Sequence, residues 1–144
     1  MTRLLPALAL CTFAGAAVAH TGVTNPAVLA RMEAMSAIAA EVKALTAMAR
    51  GEVAFDGGEV ARAMAAIATT GGQVPVLFEK PESDPASEAL PTIWTSYPEF
   101  TRRASAMIAA ARTGAGVTDA AALHDALGAL AETCRSCHAS FKSP

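Results

Sequence analysis

The sequence predicts an all-α protein, an antiparallel four-helix bundle. Alanine makes up about a quarter of the 144 residues, whereas aromatic residues make up only 5%. Alanine favours helix, and the aromatic and β-branched residues that strands prefer are sparse. Four segments carry apolar residues at steps of three and four, which is the period of an amphipathic helix. Mostly short links join these segments, and that pattern is typical of an antiparallel bundle.

The chain begins with a segment typical of exported proteins. A short basic start, Met1-Thr2-Arg3, precedes an apolar run that ends in Ala17-Val18-Ala19. This order of basic, apolar and small residues predicts a signal peptide, cleaved before His20. An uncleaved anchor is disfavoured, because a membrane span needs about 20 apolar residues. We therefore expect residues 1–19 to be removed and residues 20–144 to form a single domain in the periplasm.

The first predicted helix covers Pro26–Arg50. Asn25 is a suitable N-cap, Pro26 suits the first helical turn, and Gly51 is a plausible stop. Its apolar residues recur at helical spacing and form one stripe, which includes Val28, Met32, Met35, Val42 and Leu45.

The second predicted helix covers Gly57–Thr70, with Asp56 as its cap. The Gly71-Gly72 pair predicts a break, and Val74–Phe78 predicts a separate helical turn. A long connection, Glu79–Pro91, follows, and its length indicates that it has a role of its own.

The third predicted helix covers Glu99–Thr113, and the fourth runs from Thr118 or Asp119 to Lys142. The fourth helix has an apolar stripe in alternating steps of four and three, which is typical of a bundle seam; its members are Leu123, Leu127, Leu130, Cys134, Cys137 and Phe141.

Composition and charge exclude several classes of function. The net charge is −2 and no Lys/Arg cluster is present, so we expect no nucleic-acid partner. No second segment is long and apolar enough to span a membrane, so we expect no membrane attachment after cleavage. There is no glycine-rich phosphate loop and no distal His/Arg pair of the kind that a haem peroxidase needs. We therefore expect a protein that is not an enzyme.

Cys134-Arg135-Ser136-Cys137-His138 is a C-x-x-C-H motif, the attachment signature of haem c. Residues three apart share a face of a helix, so both thiols can reach the two vinyl groups of one porphyrin. His138 follows four residues after Cys134 and is the expected proximal iron ligand. The sequence therefore predicts one covalent haem near the C-terminal end of the bundle.

Three other interpretations of the motif compete. A zinc site needs about four protein ligands, and no second cysteine pair is present. A thioredoxin-like C-x-x-C accompanies a βαβ pattern, whereas this motif ends a helical chain. A structural Cys134–Cys137 disulfide in a haem-free secreted protein is possible in an oxidising compartment, but it does not account for His138.

A C-x-x-C-H motif followed by Phe141-Lys142, at the C-terminal end of a four-helix chain, resembles the class II c-type cytochromes, the cytochrome c′ family. The resemblance extends over the predicted mature chain, through the long first helix, Gly51-Glu52 and Ile93-Trp94. It implies that a residue of the first helix faces the iron opposite His138.

The resemblance places Met35 at this distal position, and Met32 on the same stripe is the competitor. It also implies that Arg31, one turn earlier, is a partner of a haem propionate. Both methionines can equally be core filler, because methionine fills irregular gaps well.

The axial ligands decide the expected function. Ligation by His138 and Met35 suits a periplasmic electron-transfer protein, which is the main expectation. Ligation by His138 alone would give a five-coordinate cytochrome c′ that binds NO or CO, which is the alternative. The expected partners are unidentified redox proteins, and the chain is either a monomer or a homodimer through its first two helices.

Overall fold

The computed structural model describes residues 22–144 and contains five helices. They are α1 (Pro26–Ala49), α2 (Gly57–Leu77), α3 (Thr92–Thr95), α4 (Tyr97–Gly114) and α5 (Ala120–Phe141). The predicted signal peptide lies outside the described residues. None of the helices in the described range is long and apolar enough to cross a membrane.

The four long helices form the expected bundle. Helix α2 packs against α1 and α4, and α5 packs against α4 and α1, so the four helices surround one interior. The single-turn helix α3 closes the end of the bundle, where it contacts α4 and α5. The fold class predicted from the sequence is confirmed.

Helix starts follow the predicted caps. The Asn25 side chain accepts hydrogen bonds from the backbone N–H groups of Ala27 at 2.8 Å and Val28 at 3.3 Å. Asp56 caps α2 and Asp119 caps α5 in the same way. Each cap satisfies backbone donors that have no partner within the first helical turn. Gly51 ends the first segment with φ +73°, a left-handed conformation that glycine adopts without a Cβ clash.

The core has two parts. The larger cluster is aliphatic and occupies most of the bundle's length; its buried residues include Leu45, Val60, Met64, Ile67, Leu123 and Leu130. The second cluster is aromatic-rich and consists of Val74, Phe78, Ile93, Phe100, Ala104 and Phe141. Phe100 is central to it, with ring centroids 5.2 Å from Phe78 and 5.4 Å from Phe141. Within residues 22–144 the aromatic side chains are therefore concentrated at one end of the bundle, apart from Phe55, which packs against the aliphatic cluster.

The predicted break at Gly71-Gly72 is wrong. Helix α2 continues without interruption to Leu77 and includes Pro75 in its last turn. Gly71 is buried against α4, and a Cβ built on it would lie 2.7 Å from Met107 Cε and 3.1 Å from Ile108 Cγ1. The glycine at this position is therefore required by close helix packing, not by a turn. The run Val74–Phe78 becomes the last turn of α2 and its cap.

This packing can be tested with a matched pair of variants. We expect Gly71→Val to lower the free energy of unfolding by about 1–3 kcal/mol, because the branched side chain must displace Met107 and Ile108. Gly72→Val, which meets open space, should change it by less than about 0.5 kcal/mol. Urea unfolding of the purified protein measures both. Equal destabilisation of the two variants would contradict the close approach of α2 and α4.

Candidate functional site

The C-x-x-C-H motif lies in the last two turns of α5. The seam that begins at Leu123 and Leu130, both fully buried, continues through Cys134 and Cys137 to the buried ring of Phe141. Helical spacing places both thiols on one face, and His138 lies one turn beyond Cys134. This arrangement agrees with the prediction for a doubly attached porphyrin with a proximal histidine.

An open groove runs along this end of α5. Its volume is about 570 Å³, and it is lined by Cys134, Arg135, His138, Ala139, Lys142, Ser143 and Pro144. Both thiols are half-buried and free, and His138 is exposed. The reactive groups of the motif are therefore accessible, although the helix beneath them is firmly packed.

Burial shifts the acid–base behaviour of all three groups. It raises the pKa of the Cys134 and Cys137 thiols, and in Cys137 the cation of Arg103 opposes the rise. The side chain of His138 is exposed, but partial desolvation by its neighbours still lowers its pKa. The positive charge of Lys142 lowers this pKa further, and the negative charge of Glu88 opposes the change. The neutral imidazole favoured by this shift is the form that coordinates a metal.

Arg103 of α4 fixes the backbone inside the motif. Its Nη1 donates to the carbonyl oxygen of Ser136 at 2.5 Å, and its Nε donates to Glu99 Oε1 at 2.7 Å. Ser136 stands between the two cysteines, so this bond links α4 to the centre of the site. No signal in the sequence points to this residue, because its partner is a main-chain carbonyl on another helix.

Met35 borders the same core cluster as the motif. It is partly buried and packs against both the aliphatic core and the aromatic-rich cluster, which Cys137 also borders. Met32 is partly buried but packs against neither cluster. The structure therefore brings Met35, and not Met32, to the core beneath the motif. Its role toward iron stays a prediction.

Arg31 is one of the most buried polar residues, with 3% of its surface exposed. Its guanidinium donates to three carbonyl oxygens in and after the last turn of α2: Leu77 at 2.8 Å, Glu82 at 2.7 Å and Lys80 at 2.7 Å. The cation also lies over the rings of Phe78 and Trp94, at 4.7 and 5.5 Å from their centroids. Burial lowers its pKa, and Glu82 opposes this.

These contacts show a structural role for Arg31 that the sequence did not reveal. The residue ties α1 to the beginning of the long connection. A guanidinium has five N–H donors, so three carbonyl bonds leave two of them for a further partner. The predicted contact with a propionate remains a prediction.

Asp84 ties the same connection to the start of α1. Its Oδ2 accepts hydrogen bonds from the backbone N–H groups of Thr24 at 2.9 Å and Asn25 at 3.0 Å, and from the Thr24 hydroxyl. The N–H of Ala86 donates to its other oxygen, Oδ1. These bonds hold the pKa of Asp84 at about 2. They give the long connection a fixed path over the end of the bundle.

Two aromatic residues at this end of the bundle serve packing, and the other histidine of the described residues lies apart from the motif. Trp94 Nε1 donates to the Phe78 carbonyl at 2.8 Å, and the Tyr97 hydroxyl donates to the Pro75 carbonyl at 2.6 Å. Both side chains therefore close the end of α2. His124 is exposed on α5, 14 residues before His138, which is about 21 Å along the axis. It is too distant to share an iron with His138.

The donor set and its setting fit a covalent haem. Two accessible thiols at helical spacing, an exposed imidazole one turn away and an apolar aromatic cluster beneath them supply what the group needs. Such a site on a four-helix bundle defines a c-type cytochrome of the helical-bundle class.

Comparison with known proteins identifies the family. The family model described as "Cytochrome C'" matches residues 26–142. Cytochrome c′ of Rhodopseudomonas palustris (strain ATCC BAA-98 / CGA009) is 33% identical over 143 residues, covering 94% of this chain and 97% of that protein. Cytochrome c′ of Pararhodospirillum photometricum is 31% identical over 116 residues, covering 78% of this chain and 92% of that protein. The chain belongs to the cytochrome c′ family, whose members bind covalent haem c.

Solved structures agree with this assignment. Cytochrome c′ from Rhodopseudomonas palustris has a TM-score of 0.77 and 28% identity, covering 84% of this chain and 98% of that one. A nitric oxide complex of a mutant of cytochrome c prime from Alcaligenes xylosoxidans has a TM-score of 0.72. It covers 82% of this chain and 94% of that one, and at 21% identity it shows the shared fold only.

The structural role of Arg31 can be tested by substitution. We expect Arg31→Met to lower the free energy of unfolding by about 3 kcal/mol, because three part-buried hydrogen bonds from a charged donor are lost. Arg31→Lys should cost less, because its ammonium keeps the charge but reaches fewer carbonyls. Thermal unfolding at matched haem content measures both, with Arg50→Met, an exposed site on the same segment, as the control. A cost for Arg31→Met no larger than that for Arg50→Met would contradict the role.

Proposed function

We propose that this chain is a periplasmic monohaem cytochrome c′ that binds nitric oxide or carbon monoxide. Cys134 and Cys137 hold the haem, His138 is the single protein ligand of its iron, and Met35 faces the opposite side without a bond. The observation that carries the proposal is the placement of two free, accessible thiols and an exposed imidazole on the last two turns of α5. The bound group supplies an iron centre at which a diatomic gas coordinates.

The packing of Met35 supports an apolar face opposite His138. Its side chain contacts both core clusters, so its thioether already serves as a packing group between them. The described residues contain two histidines, and His124 is too distant to be a second ligand. The nitric oxide complex of the relative from Alcaligenes xylosoxidans supports the idea that a protein of this fold accepts the gas.

Electron transfer with Met35 as the sixth ligand is the second candidate. It is favoured by one observation, that Met35 and Cys137 border the same aromatic-rich cluster. A thioether ligand would saturate the iron and raise its reduction potential. Membership of the cytochrome c′ family favours the gas-binding candidate over this one.

Export to the periplasm is part of the proposal. The basic and apolar start of the sequence supports export, and so does membership of the cytochrome c′ family. The Arg31–propionate contact is also part of the proposal. It is supported by the two guanidinium N–H groups of Arg31 that the three hydrogen bonds to carbonyls do not use.

The absorption spectrum of the matured protein tests the iron ligation. We expect a five-coordinate ferric spectrum and ready carbon monoxide binding by the ferrous form. Met35→Leu keeps an apolar side chain of similar volume and should leave both unchanged. Met35→Ala removes packing volume beside the iron, so carbon monoxide should associate at least several-fold faster.

Met32→Leu is the matched control and should resemble the parent protein. A low-spin parent spectrum that becomes high-spin in Met35→Leu would contradict the proposal, because it would show that the thioether coordinates the iron.

A further inference from the structure

The end of the long connection forms a strap across the last turn of α5. The strap, residues 88–92, makes three hydrogen bonds to residues 140–143. Leu90 N–H donates to the Phe141 carbonyl at 3.0 Å, Ser143 N–H donates to the Glu88 carbonyl at 2.8 Å, and the Thr92 hydroxyl donates to the Ser140 carbonyl at 2.9 Å. Ala89 and Lys142 pair as an antiparallel bridge.

These bonds complete the end of the helix that carries the motif. The last four carbonyls of a helix have no partner within it, and an unpartnered end frays. The strap supplies donors to two of them, Ser140 and Phe141. The turn that presents His138 is therefore fixed from outside the helix.

The strap also places a carboxylate beside the groove. Glu88 Oε2 lies 2.9 Å from Lys142 Nζ. Lys142 lines the same groove as His138 and follows it by one helical turn. Because the strap fixes the Glu88 backbone through Ser143, the carboxylate stays within reach of the ammonium group. The charge that His138 experiences from this side is therefore set by a pair and not by Lys142 alone.

We propose that Glu88 is a positioning residue that holds Lys142 beside His138 and compensates its charge, so that the reduction potential of the iron depends on the Glu88–Lys142 pair. The inference rests on the proposed attachment of the haem at Cys134, Cys137 and His138. The pair has half-exposed side chains, 57% for Glu88 and 40% for Lys142, so its contribution to stability is small. Its effect is on the charge state of the iron, which gains one electron on reduction.

A double-mutant cycle on the midpoint potential tests this inference. Glu88→Gln leaves Lys142 uncompensated and should make reduction at least twofold more favourable, which is about 18 mV for a one-electron couple. Lys142→Gln should shift the potential in the opposite direction. The double variant should return close to the parent value. Measurement at about 0.01 M ionic strength, where the Debye length is about 30 Å, keeps the effect visible.

Two controls separate charge from structure. Glu52→Gln removes the same charge beyond the C-terminal end of α1, at the opposite end of the bundle from the strap, and should shift the potential less than Glu88→Gln does. Glu88→Asp keeps the charge on a shorter side chain and should stay near the parent value. Amide hydrogen exchange of Leu90 and Ser143 in the haem-loaded protein reports the strap itself, and both amides should be protected in the parent and in Glu88→Gln.

The inference is overturned if Glu88→Gln and Lys142→Gln shift the potential in the same direction, or if neither shifts it more than Glu52→Gln does. Rapid exchange of the Leu90 and Ser143 amides in the parent protein would contradict the hydrogen bonds that define the strap. Coordination of the iron by Met35 would contradict the proposed function, but the midpoint potentials of the Glu88 and Lys142 variants could still be compared. The two failures are therefore distinguishable.

Discussion

The register of α5 is the constraint on which the site depends. The same stripe that seals the bundle with Leu123 and Leu130 has to deliver Cys134 and Cys137 to one face and Phe141 to the aromatic-rich cluster. A one-residue shift would turn the apolar seam and both thiols away together, because residues on a helix rotate by about 100° per position. Core packing and the placement of the motif are therefore one requirement, which explains why the seam runs through both cysteines.

Three separate attachments stabilise that end of the bundle. Arg103 fixes the backbone between the cysteines from α4, Arg31 fixes the beginning of the long connection from α1, and the strap fixes the last turn of α5. In each case the partner is a main-chain carbonyl. The result is a well-connected frame around a half-open surface, which suits the attachment of a large flat group.

The parts of this arrangement that the sequence predicted are those with a local or periodic signal. The caps at Asn25, Asp56 and Asp119, the apolar stripe of α5 and the C-x-x-C-H motif all involve residues a few positions apart in the chain. Gly71-Gly72 misled the prediction because a glycine required by close packing looks the same in sequence as a glycine required by a turn. Only the proximity of Met107, from another helix, distinguishes the two.

The contacts of Arg31, Asp84, Arg103 and Glu88 were not predictable for a related physical reason. Their long-range partners lie 33 to 60 positions away in the chain and are mostly backbone groups, which leave no trace in residue type. The length of the long connection is visible in the sequence, but its path is not, because Asp84 and the strap define that path only in the folded state. The sequence therefore locates the chemistry, and the structure shows what orients it.

The most direct test of the central claim is the mass of the purified protein under denaturing conditions, after expression with a haem-attachment system. We expect the mass of a polypeptide with one covalently bound haem, retained in Ser136→Ala and lost when Cys134 and Cys137 are both replaced by alanine. A haem-free mass for the parent protein, or a haem retained without the two thiols, would contradict it.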